Sequence, residues 1–122
     1  MNPIDVIKEI KKRKRIAYSR VIPPSTILLS VHSINENNQI GDVIGMLSSI
    51  DLNPTETFAY TLVAGTGDTD NGSFTITSNL LKAGEVFDYD VKNSYSIRIR
   101  STDSGAQTTD KIFVIAINNV TE

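Results

Sequence analysis

Oxygen donors are the residues of this chain that carry its chemistry. Glu36, Asp51, Asn53, Asp88, Asp90, Asp103 and Glu122 all stand where alternating apolar runs begin or end. Carboxylate and amide oxygens gathered in this way suit a hard cation, and calcium, which takes six to eight oxygens, fits them better than magnesium or zinc. Asp88 and Asp90 illustrate the point. In extended chain, residues i and i+2 face the same way, so two carboxylates share one face while Tyr89 turns inward. Other chemistries fail on counting. The 122 residues contain no cysteine, which removes disulfides, thiolate metal sites and cysteine nucleophiles together. His32 is the single histidine, so a multi-imidazole zinc site is excluded, and its place in an apolar, serine-rich run makes it a structural or surface residue.

Short strands must position these oxygens. Period-two alternation over Ser94 to Ser101 sets Tyr95, Ile97 and Ile99 against Ser96, Arg98 and Arg100. Further strands are expected over Thr26 to Ser33, Ile40 to Ile50, Phe58 to Ala64, Ser73 to Thr77, Asn79 to Ala83 and Lys111 to Asn118. Turn-forming Asn, Gly and Pro residues separate them, notably Asn37 and Asn38, Asn53 and Pro54, Gly65 to Gly72, and Ser104 with Gly105. Seven short strands, each with one apolar face, specify an all-β fold: a Greek-key, immunoglobulin-like sandwich of two antiparallel sheets without the immunoglobulin disulfide.

The amino-terminal segment reads differently. Asn2 and Pro3 can open a helix, Asp5 and Glu9 lie early, Lys11 to Arg15 lie late, and Ile4, Ile7 and Ile10 form a narrow stripe. Pro23 and Pro24 end it. Residues 1–22 are therefore expected to be a short, basic, helical appendage, and residues 23–122 the sandwich. The formal charge of −2 divides into +5 over residues 1–20 and −7 over the remainder. An acidic sandwich argues against a nucleic-acid partner and for cations. No apolar run approaches the length of a membrane span, so no membrane insertion by this chain is expected, and any export signal lies outside it.

In order, Ile34-Asn35-Glu36-Asn37, Gly41-Asp42-Val43-Ile44-Gly45, Ser48-Ser49-Ile50-Asp51, Phe58-Ala59-Tyr60-Thr61-Leu62, Asn71-Gly72-Ser73-Phe74, Phe87-Asp88-Tyr89-Asp90, Tyr95 to Gly105 and Asn118 to Glu122 span about four fifths of the chain. In this order and spacing the stretch resembles a cadherin-type repeat, particularly the cadherin-like modules found in tandem in large bacterial surface proteins. The resemblance implies a non-enzymatic adhesion or spacer module, extracellular or at the cell surface, with calcium at the junctions between neighbouring repeats of one parent protein. One pole would comprise Glu36, Asp88, Asp90, Asn119 and Glu122, and the other Asp51, Asn53 and Asp103. The chain departs from the family pattern with Asp90 for a glutamate, Thr121 for an asparagine, and Asn53 and Asn119 for aspartates; the two swaps of a carboxylate for a neutral amide lower the site charge and imply weak calcium binding in isolation. Homophilic contacts, or a carbohydrate or protein ligand, are the expected partners, and the isolated chain is expected to be a monomer. The alternative is a sandwich that binds carbohydrate or protein without calcium.

Other motifs carry less. Asp68-Thr69-Asp70-Asn71-Gly72 places its glycine at the fifth position and Asn79 at the twelfth, so it is no EF-hand. Asp88 and Asp90 lack the opposed geometry of a glycosidase pair. Asn71-Gly72-Ser73 and Asn119-Val120-Thr121 match the glycosylation pattern, which bears on the chain only in a eukaryotic secretory pathway.

Overall fold

The computed structural model describes residues 25–51 and 56–120; the expected helical appendage, Asn53 and Glu122 lie outside the described residues. Among the described residues eight strands follow in order: β1 (Thr26–Leu29), β2 (Ser33–Asn35), β3 (Val43–Ile50), β4 (Phe58–Leu62), β5 (Phe74–Thr77), β6 (Leu80–Ala83), β7 (Ser94–Asp103) and β8 (Thr108–Asn118). They form two four-stranded sheets, one ordered β1-β3-β6-β5 and the other β2-β8-β7-β4.

The strand expected over Thr26 to Ser33 ends at Leu29, and a second strand that begins only at Ser33 joins the other sheet. β1 lies antiparallel to β3, with Thr26 opposite Ile50, whereas β2 lies parallel to β8, with Ser33 opposite Ala116. One pair in the sandwich is therefore parallel, contrary to the expectation of wholly antiparallel sheets. Residues 30–32 make the crossing. Ser30 donates its N–H to the Met46 carbonyl and accepts the Met46 N–H at Oγ, and His32 lends its carbonyl to the Ala116 N–H. The His32 Nε2–H donates to the Leu29 carbonyl at 3.0 Å, with the ring edge against Phe113. Gly45 permits the crossing. A Cβ there would lie 2.9 Å from the Val31 carbonyl oxygen and 3.0 Å from the Val31 nitrogen, and β3 shifts register against β6 beside it.

The core fills the space between the sheets. Ile27, Leu47, Leu81, Phe87, Ile97, Ile99 and Ile115 are fully buried, and Phe74, Phe87 and Tyr95 pack with ring centroids 4.9 to 5.7 Å apart. Strict alternation along β7 buries Tyr95, Ile97, Ile99, Ser101 and Asp103 while the intervening residues face outward. On that outer face Asp110 receives both Arg98 and Arg100, at 3.1 and 2.7 Å, a bridging pair across β7 and β8.

The Gly65 to Gly72 loop is tied down by its own side chains. Asp68 Oδ2 accepts the Gly65 N–H, and Asp70 Oδ2 accepts the Ser96 N–H. Asn71 inserts between β4 and β7, donating to the Val63 carbonyl and accepting the Arg98 N–H. These acceptor roles account for the acidic residues that superficially suggest an EF-hand.

Candidate metal centre

Three inward-facing stripes leave the core at the same end of the sandwich. On β3 and just beyond it the stripe runs Leu47, Ser49, Asp51; on β7 it runs Ile99, Ser101, Asp103; on β4, read backwards, it runs Tyr60, Phe58, Glu56. Period two keeps each set on one face. The β4–β7 register aligns the last two stripes by setting Phe58 opposite Asp103 and Tyr60 opposite Ser101.

The stripes change chemistry together. Above the apolar core lies a layer of hydroxyls: Ser49 Oγ is 2.9 Å from Tyr60 Oη and 2.7 Å from Ser101 Oγ, and Ser101 is fully buried. Each hydroxyl finds its partner within the layer, as burial requires. Above it stand the carboxylates. Asp51, Glu56 and Asp103 each offer an oxygen, and these oxygens all lie within 4.8 Å of one another.

Local structure holds two of the three firmly. Asp103 is only 7% exposed, and its Oδ1 accepts N–H bonds from Gly105 at 2.9 Å and Gln107 at 2.8 Å, closing the β7–β8 turn. Glu56 Oε1 accepts both the N–H and the hydroxyl of Ser104. Those bonds, the Ser104 side chain's first, hold the Glu56 carboxyl below the usual carboxylate range, so it is ionised at neutral pH. Like charges brought this close, with hydroxyls beneath them, favour a bound cation. All three donors are hard oxygens, which fits calcium, and three donors leave most of its coordination to be filled from elsewhere.

Asp51 and Asp103 thus meet as the sequence leads one to expect. Glu56 was not expected. Its signal is parity, because it lies two and four residues before Phe58 and Tyr60 on the same inward face.

The opposite end is arranged differently. The Glu36 N–H donates to the Asn118 carbonyl, and its Oε2 accepts the Val120 N–H at 2.8 Å, so Glu36 grips the chain where β8 ends. Asn37 donates to the Phe87 carbonyl, and Asn38 joins the same loop by accepting the Phe87 N–H and donating to the Glu85 carbonyl. The expected extended geometry of Asp88 and Asp90 is corrected here. Residues 88–92 form a tight turn, in which the Asp88 carbonyl accepts the Val91 and Lys92 N–H groups and its Oδ1 accepts the Asp90 N–H. Local side-chain hydrogen bonding has displaced the strand conformation. Tyr89 still packs against the core as expected. Asp88, Asp90 and Asn119 are exposed. Among the described residues, the three-carboxylate set whose oxygens meet the 4.8 Å spacing is Asp51, Glu56 and Asp103, and Glu36, Asp88 and Asp90 form no such set.

No family model matches the chain, and no curated protein matches its sequence. Solved structures do match. A human protocadherin-24 EC1-2 structure has a TM-score of 0.61 at 15% identity, over 80% of this chain and 45% of that one. The protocadherin gammaB7 EC3-6 cis-dimer structure has a TM-score of 0.61 at 18% identity, over 81% of this chain and 26% of that one. The third cadherin domain of human protocadherin 7 has a TM-score of 0.57 at 17% identity, over 77% of this chain and 87% of that one. The chain spans about a quarter of the length of the four-domain protocadherin structures it matches. This chain has the fold of a cadherin extracellular domain.

Proposed function

We propose that the chain is a non-enzymatic adhesion or spacer module of a cell-surface or secreted protein, and that calcium at its strand ends stiffens junctions with neighbouring repeats. The observation that carries this reading is the convergence of Asp51, Glu56 and Asp103 on one point above a satisfied hydroxyl layer. Asn53, in the β3–β4 connection, is assigned to the same pole from its sequence position. Glu36, Asp88, Asp90, Asn119 and Glu122 make the other, weaker half-site, supported by Glu36 holding the backbone of Val120. Each half-site is short of ligands, so the isolated module binds calcium in the range of about 0.1 to 1 mM, as extracellular modules do. A neighbouring repeat supplies the remaining oxygens.

The test is a calcium titration of the isolated chain followed by amide chemical shifts. Amides of Ser49 to Asp51, Glu56, Thr57 and Ser101 to Gln107 are expected to move together, with magnesium producing smaller shifts. Silence of those amides at about 10 mM calcium, well above the affinity range above, would refute the site.

A further inference from the structure

Asn71 supplies a link that the β4–β7 ladder lacks. The register that sets Leu62 opposite Ile99 brings Val63 opposite Arg98. Facing residues of an antiparallel pair that share one N–H···O bond ordinarily share two. Here the Val63 N–H reaches the Arg98 carbonyl at 3.0 Å, but the return bond passes through the Asn71 side chain. The Arg98 N–H donates to Oδ1 at 3.0 Å, and Nδ2 donates to the Val63 carbonyl at 2.9 Å. Bridging an N–H and a carbonyl in this way needs a donor and an acceptor side by side on one planar group, which a primary amide provides.

The residue in this clamp is also the one asparagine of the chain that precedes a glycine. That pair is chemically vulnerable. A main-chain nitrogen can attack the side-chain carbonyl of the preceding asparagine, and glycine, with no Cβ, hinders the approach least. In the attack a bond forms between the Gly72 nitrogen and Asn71 Cγ while the bond from Cγ to Nδ2 breaks. The Gly72 N–H proton passes through water to the departing nitrogen, which leaves as ammonia. Water then opens the cyclic imide at either carbonyl, giving aspartate or isoaspartate.

The folded geometry opposes the first step. Ring closure requires the Asn71 amide to turn its face to the Gly72 nitrogen, and the clamp holds both ends of that amide. The backbone is held too. Asn71–Ser73 is a 3₁₀ turn, with the Asn71 N–H on the Asp68 carbonyl and the Ser73 N–H on the Asp70 carbonyl, both at 3.0 Å, and helical geometry swings the following nitrogen away from the side chain. Gly72 itself is exposed, and a Cβ there would meet no atom within 4 Å beyond its chain neighbours. Protection therefore rests on the clamp and the turn, not on exclusion of water.

We propose that Asn71 is a latent deamidation site, guarded by its own clamp and converted one way when the loop opens. Neither product rebuilds the clamp. Aspartate accepts hydrogen bonds but donates none, so it sets an oxygen against the Val63 carbonyl, and isoaspartate shortens the side chain while lengthening the main chain by one carbon. Either product also adds a carboxylate to a loop that already holds Asp68 and Asp70. The seam then frays from the Val63 end of β4, the end away from Glu56, so the proposal is independent of the metal site.

Peptide mapping by mass spectrometry of the full chain, aged in mildly alkaline buffer with and without urea, tests it. In urea Asn71 should react faster than any other asparagine. In the folded chain it should react at least about tenfold more slowly, because the reactive state requires both clamp bonds to open. Gly72→Ala, which the open space accommodates, should abolish the fast reaction in urea while Tm stays at the parent value. Asn71→Asp stands in for the product: it should melt lower than the parent, with hydrogen exchange of the Arg98 amide at least about tenfold faster. An Asn71→Asp chain too unstable to fold would support the clamp, and the rate comparison on the parent would remain decisive. Equal rates in the folded and unfolded parent, a faster asparagine elsewhere in urea, or an Asn71→Asp variant that keeps the parent's Tm and Arg98 protection would each overturn the proposal.

Discussion

Asp103 has two tasks that a pair of substitutions can separate. Its Oδ1 closes the β7–β8 turn by accepting N–H bonds from Gly105 and Gln107, and its carboxylate is one of three facing the proposed cation. Asp103→Asn keeps a carbonyl acceptor at Oδ1 but removes the charge. Asp103→Ala removes both. Losing two hydrogen bonds to a carboxylate at a buried position should cost about 2–3 kcal/mol, which for a domain of about 100 residues lowers Tm by roughly 10–20 °C. The asparagine variant should stay within about 1 kcal/mol of the parent when calcium is absent, because it retains the turn. Calcium then reverses the emphasis. With a Kd of about 0.5 mM, 10 mM calcium stabilises the parent by about 1.8 kcal/mol, a rise of roughly 7–14 °C. A tenfold weaker site in Asp103→Asn retains about 0.6 kcal/mol, a rise of roughly 2–5 °C. Thermal unfolding by circular dichroism with and without calcium reads all four numbers. The reasoning is refuted if the parent gains nothing from calcium, if the asparagine variant keeps the full gain, or if the alanine and asparagine variants melt alike without calcium.

Legibility in the sequence followed the reach of local patterning. Alternation identified β7 and the inward set Phe113, Ile115 and Ile117 of β8, because each has one face in the core and one in water. The same alternation carries Asp51 and Asp103 to one end. Glu56 was missed because its segment holds Asn53 and Pro54 and reads as a turn, although its parity with Phe58 and Tyr60 marks it as inward. The break between β1 and β2 was not legible, since Thr26 to Ser33 is a continuous β-prone run. What divides it is a contact distant in sequence: the crossing backbone rests on Gly45, where only a missing side chain leaves room. Asp88 and Asp90 went astray for the opposite reason. A local hydrogen bond from the Asp90 N–H to the Asp88 side chain overrode the extended geometry that i, i+2 spacing assumes.

Two further substitutions probe the scaffold that presents these sites. Gly45→Ala would drive a methyl group into the Val31 backbone, at 2.9 Å from its oxygen, and neither strand can yield without disturbing the crossing. A loss of about 1–3 kcal/mol in urea unfolding is expected, and an unchanged midpoint would show that the crossing adapts freely. Asp110 bears on acid stability. Hydrogen bonds from Arg100 hold its carboxyl below the ordinary value of 3.8, with Arg98 adding to the effect against the opposing cost of burial. A carboxyl whose pKa is depressed by folding contributes stability that is fully present above its unfolded pKa and disappears as pH falls through the folded one. The parent should therefore lose stability progressively below about pH 4, and Asp110→Asn should show a shallower acid slope from a lower starting point. Because both arginines lie on the outer face of β7 and β8, away from Asp51, Glu56 and Asp103, the variant should retain the calcium-dependent rise in Tm in full. If removing Asp110 abolished that rise, the outer ion-pair cluster and the carboxylate end would be coupled through the strands, and the assignment of independent roles to the two faces would fail.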